Sequence, residues 1–90
     1  MPVKPKSIGI RLRRTRMALG YAQQVDFARE IGLDRSSYHP FETGKRRITI
    51  EIAVKIKDRW NIPLDWIYCG DPAQLPAGLY EKIGEIRAAA

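Results

Sequence analysis

The chain has 90 residues, with 16 Lys and Arg against 10 Asp and Glu and a formal net charge of +6. A domain of this size buries roughly 60–68% of the surface its unfolded form exposes, which allows one core and no second. With 44% hydrophobic and 29% charged residues, and no apolar run near the ~18 residues a membrane span needs, the composition is that of one globular domain whose positive balance favours a polyanionic partner.

Residues 1–7, MPVKPKS, carry two prolines and two lysines and are predicted to form an extended basic arm within reach of a phosphate. They contain no apolar stretch, so no secretory signal is expected. Ser7 is the expected cap of a first helix from Ile8 to Leu19, where Ile8, Leu12, Thr15 and Leu19 share one face and Gly20 supplies the stop. A second helix is predicted over Gln24 to Ile31 from the spacing of Val25, Phe27, Ala28 and Ile31, followed by a sharp turn at Gly32.

Asp34 is the expected N-cap of a third helix, with Tyr38 and Phe41 facing inward, Arg35, Ser36, Ser37 and His39 facing outward, and Gly44 ending it. Thr49 precedes a fourth helix, Ile50 to Trp60, whose stripe is Ile50, Ala53, Ile56 and Trp60 and whose stop is Asn61 and Pro63. A short fifth helix, about Leu64 to Tyr68, is expected to bring Trp66 and Ile67 into the core before the turn at residues 69–72. Leu75 to Ala90 reads as a tail helix with Leu79, Ile83 and Ile86 on one face. The alternation from Ile48 to Ile52 runs on into helical spacing, so the fold class is all-α, with an arm at 1–7, a domain at 8–71 and a helical tail at 72–90.

Two short helices joined at a glycine turn and followed by KRR form the pattern of a helix-turn-helix DNA reader. A helix fits the major groove, and base edges are read by polar side chains near its N-terminal end. Arg35, Ser36, Ser37 and His39 hold those places, although four polar residues also suit a merely solvated face. Arg35 can donate two hydrogen bonds to a guanine. Lys45, Arg46 and Arg47 follow where the chain leaves the groove, so they are expected to bind phosphate and set affinity and salt dependence. Gln24, at the start of the second helix, is a further candidate for a phosphate contact.

The segments IGIRLRRTRMALGY, QVDFAREIGL, DRSSYHPFETGKRR and NIPLDWIYCGD, in this order and spacing, resemble the Cro/C1-type (lambda repressor-like, XRE) helix-turn-helix family of bacterial and phage transcription regulators. The resemblance spans Ile8 to Asp71. It implies a compact five-helix DNA-binding domain whose third helix enters the major groove of double-stranded DNA. It also implies a phosphate role for Gln24, a base-facing role for Arg35, Ser36 and Ser37, and a backbone-holding role for Lys45 to Arg47. Arg16 and Glu42 match the family's ion pair between first and third helices, and Trp66 matches a core position.

Three departures from the family pattern stand out. Tyr21, Ala22 and Gln23 include one extra residue and lack the usual Ser or Thr cap. Pro40 occupies a base-reading position, where it either kinks the helix or leaves regular helix only from about His39. The tail after Asp71 lies outside the pattern and suits either the monomer core or a two-fold contact.

One His, one Cys and scattered carboxylates make no nucleophile or metal spacing, so no enzyme and no cofactor are expected. Cys69, being alone, excludes an internal disulfide and suggests a reducing cytoplasm. The resulting expectation is a sequence-specific transcriptional regulator, a repressor acting as a homodimer, with no membrane or small-molecule partner. The alternative is a protein–protein interaction module, antitoxin-like, that uses the same scaffold with its basic face toward an acidic protein.

Overall fold

The structure is a computed structural model that describes residues 4–89. The first part of the expected arm, residues 1–3, lies outside them. Helix α1 runs Pro5–Ala18, three residues earlier than expected, and its cap is the extended Lys4 rather than Ser7. Proline at a first helical position has its φ already set and no donor to lose there, so residues 5–7 belong to the helix and not to an arm.

Helices α2 (Gln24–Glu30), α3 (Arg35–Thr43) and α4 (Ile50–Trp60) follow the expected order. The Asp34 side chain accepts from the Ser37 N–H to cap α3, and Thr49 accepts from the Ile52 N–H to cap α4. Asn61, at φ 59°, closes α4 in the left-handed conformation. Pro40 lies inside α3, which runs through it unbroken, so the helix does not begin only near His39.

The expected short fifth helix is present as a single wide π-helical turn, Asp65–Cys69. Arg11 holds its far end, with Nε and Nη2 donating to the Ile67 carbonyl at 3.3 and 3.2 Å and Nη2 also reaching the Tyr68 carbonyl. Trp66 is buried as expected, its indole N–H donating to Thr15 Oγ1 at 2.9 Å. The tail helix α5 spans Leu79–Ala89. It begins later than Leu75 because a residue before proline avoids helical angles and Pro76 itself cannot donate.

The core gathers α1, α2, α3 and α4 around aromatic rings. Phe27 stacks on Trp60 at 4.5 Å and nearly parallel, and Tyr21 meets both edge-on at 5.6 Å. Leu79 and Ile83 of α5 join this core, so the tail's apolar face completes the monomer. Val25, expected to face inward, is 40% exposed. Among the described residues there is no strand, and no helix is long and apolar enough to cross a membrane.

A close backbone approach sets α3 against α1. A Cβ at Gly9 would collide with the Glu42 carbonyl oxygen and sit 2.7 Å from that of Phe41. Only glycine lets the two backbones meet there. Just beyond, at the C-cap of α3, Gly44 has φ 84°, and a Cβ on it would lie 2.8 Å from Lys6 Cα. The start of α1 thus rests on the end of α3.

Candidate nucleic-acid interface

The exposed end of α3 is shaped by its cap. Asp34 Oδ1 accepts from the Ser37 N–H at 2.8 Å and from Ser36 Oγ at 2.9 Å. These bonds, the backbone one foremost, hold the Asp34 carboxyl below its ordinary range. Arg35, Ser36 and Ser37 are all exposed on this first turn. The Ser36 hydroxyl proton is committed to the cap, leaving its lone pairs to accept.

The inner side of the same helix is a closed polar network. Arg16 Nε donates to Glu42 Oε2 at 2.7 Å, and Arg16 Nη2 reaches Oε1 at 3.3 Å. The Tyr38 hydroxyl donates to Oε2 at 2.6 Å and Gln24 Nε2 to Oε1 at 2.9 Å, which fills the acceptor capacity of the Glu42 carboxylate. Arg16 is 4% and Glu42 8% exposed, so the ion pair expected from the resemblance is present and buried. Burial foremost, and then the Glu42 charge, push the Tyr38 phenol far above its ordinary pKa.

Arg16 also holds the loop before α2. Its Nη1 donates to the Tyr21 carbonyl at 2.6 Å and the Ala22 carbonyl at 3.0 Å, and Gln23 itself gives α2 no side-chain cap. One guanidinium therefore fixes α1, the loop to α2 and α3 together.

Gln24 and His39 are less open than their sequence positions suggest. Gln24 Oε1 lies 2.9 Å from His39 Nδ1, so the Gln24 amide bridges His39 and Glu42 across the two helices of the motif. With Nδ1 as the donor, Nε2 is the ring nitrogen left for an outside partner. The sequence pattern places both residues but holds no sign that they bond to each other.

Pro40 is half-buried beside His39 and removes the donor that would have reached the Ser36 carbonyl. Its own carbonyl accepts from Thr43 Oγ1 at 3.3 Å and from the Arg46 N–H at 3.2 Å, which folds the basic turn back on the helix. Lys45, Arg46 and Arg47 are exposed on that turn. The Gly44 contact brings Lys6, also exposed, next to it, a cation that the reading of residues 1–7 as an arm could not locate.

Among the described residues no group of His, Cys, Asp and Glu could hold a metal ion. A helix-turn-helix family model matches residues 12–67, more than half of the chain. No curated protein and no solved structure matches the chain.

Proposed function

The chain belongs to the Cro/C1-type helix-turn-helix family of DNA-binding regulators, and on that premise we propose that it is a sequence-specific repressor that lays α3 in the major groove of double-stranded DNA. Arg35 reads a guanine by two hydrogen bonds, Ser36 and Ser37 meet neighbouring bases or phosphates, and His39 offers Nε2. Lys45, Arg46 and Arg47 neutralise the flanking phosphates. Gln24 reaches a phosphate by exchanging one of its internal bonds for it. The protein acts in the cytoplasm as a homodimer on a palindrome with half-sites about one helical turn apart.

The observation that carries this reading is the contrast within α3, where an exposed polar first turn is held by a helix base that is fully hydrogen-bonded. Selection of bound sequences from a random duplex pool tests it, followed by salt titrations of the selected duplex and its scrambled form. A palindrome bound more tightly than the scramble is expected. Equal affinity for both would remove sequence specificity.

Pro40 supports a second reading, an interaction module whose basic face docks an acidic protein, because proline cannot hydrogen-bond a base. If duplex DNA leaves the amide signals of residues 35–47 unbroadened, this second reading replaces the first.

A further inference from the structure

The side of α1 turned away from α3 carries a cleft that DNA reading does not use. At 100° per residue, Gly9, Leu12 and Arg16 form the stripe of α1 that faces α3 and the core. Ser7, Ile10, Arg11 and Arg14, spaced i, i+3, i+4 and i+7, form the opposite stripe and line the cleft. Tyr80, Ile83, Gly84 and Arg87 of α5 repeat that spacing on the facing wall, and Trp66 of the π turn also lines the cleft.

The lining combines three cations with apolar surface. Arg11, Arg14 and Arg87 all border the cleft and no Asp or Glu does. Arg11 is half-buried, with its guanidinium 5.8 Å over the Trp66 ring, and burial lowers its pKa from the ordinary arginine value. Its Nε and Nη2 are committed to the π turn, whereas Nη1 has no hydrogen-bond partner among the described residues. Ile10 and Tyr80, 45% and 53% exposed, are two of the protein's large apolar side chains left in water, and both border this cleft.

Gly84 adds an independent observation. Glycine inside a helix costs roughly 0.5–1 kcal/mol relative to alanine. Here no close contact demands it, since a Cβ at Gly84 would meet nothing within 4 Å. What the missing side chain does is leave the cleft open.

We propose that the cleft between α1 and α5 binds a small organic anion, a carboxylate or phosphate monoester on an apolar ring, with Arg11, Arg14 and Arg87 holding the charge and Ile10, Trp66 and Tyr80 the ring. A volume of about 310 Å³ suits one such molecule, at the small end of ligand pockets, and is too small for a folded partner segment. A second copy of the chain fits poorly, because a two-fold contact through this surface brings the arginines of both copies together with no acid in the cleft to pair them. The proposal is independent of the DNA reading and survives its failure.

The test titrates the isotopically labelled full chain with benzoate, phenyl phosphate, inorganic phosphate and benzyl alcohol, following amide signals and the Trp66 indole N–H. Saturable shifts confined to residues 7–14, 66–70 and 80–87 are expected for benzoate or phenyl phosphate, at a dissociation constant of about 1 mM or tighter. Whichever of the two binds more tightly identifies the charged group. Benzyl alcohol should bind at least about tenfold more weakly, a 1.4 kcal/mol difference.

Gly84→Leu, which fills the cleft, should abolish the shifts. Arg14→Gln and Arg87→Gln should each weaken binding and keep the proposal testable if the leucine variant fails to fold. No saturable shift, shifts centred on residues 35–47, shifts retained by a folded Gly84→Leu, or equal binding of inorganic phosphate would each overturn it.

Discussion

Helix α3 has two sides of opposite character. On the inner side Glu42 accepts hydrogen bonds from Arg16, Gln24 and Tyr38 and is almost sealed from water. On the outer side Arg35, Ser36 and Ser37 are exposed, and the hydrogen bonds of Ser36 Oγ and the Ser37 N–H go to Asp34 at the start of the same helix. The inner residues therefore fix where the helix lies, and the outer ones are free to determine what it meets. Substitutions on the two sides should separate stability from recognition.

The largest expected effect comes from the inner side. Glu42→Ala leaves the Arg16 guanidinium buried without its carboxylate, and breaking a buried pair in this way costs about 3–5 kcal/mol. Urea unfolding measures it directly, and a loss below about 1 kcal/mol, the scale of an exposed pair, would mean that the network does not fasten the helix.

Gly9→Ala comes next. Alanine favours a helix interior, but here its methyl group meets the Glu42 and Phe41 carbonyls, so a net loss of about 1–3 kcal/mol is expected. A gain in stability would show that α3 can shift away from α1 at little cost.

Alkaline pH probes the same network through Tyr38. The unfolded phenol ionises near pH 10, while burial, with Glu42 adding to it, keeps the folded one protonated well above that. The folded state then holds more protons, so the stabilising contribution is complete below about pH 10 and is lost as pH rises, at up to about 1.4 kcal/mol per pH unit. Tyr68, raised chiefly by burial, acts in the same direction. Unfolding curves of the parent and Tyr38→Phe between pH 9 and 11 should diverge, and parallel curves would place the phenol outside the network.

The same contrast explains what the sequence disclosed. Helices α2, α3 and α4 were legible because their signals are local, as with Asp34, Thr49 and Asn61 at helix ends and Phe27, Ala28, Tyr38 and Phe41 at helical spacing. The Arg16–Glu42 pair was legible only through the family resemblance, since 26 residues separate the partners and no periodicity links them. Gly9 gave no local sign of its role, because its backbone is ordinary helix and its necessity arises only where α3 crosses. Gln24 and His39 were readable as polar surface positions but not as partners in one bridge.

The tail shows the same limit. No small-molecule partner was expected from the sequence. The cleft takes its other wall from α1, some 70 residues earlier in the chain.

The smallest effect on stability is expected on the outer side, and it separates reading from holding. Arg35 and Arg46 are both exposed, so replacing either with alanine should change stability by no more than about 0.5 kcal/mol. Their effects on DNA should nonetheless differ in kind. Arg35→Ala removes a bidentate base contact, which costs about 1–3 kcal/mol of discrimination at one base pair and relaxes choice there. Arg46→Ala removes a phosphate contact, so it should weaken all duplexes alike and reduce the salt slope by about one. Binding isotherms on a selected duplex and its single-base variants, each at several salt concentrations, resolve the two patterns. If the patterns are exchanged, the first turn of α3 lies along the phosphates and the basic turn lies in the groove, which would reverse the docking direction while leaving the inner network unchanged.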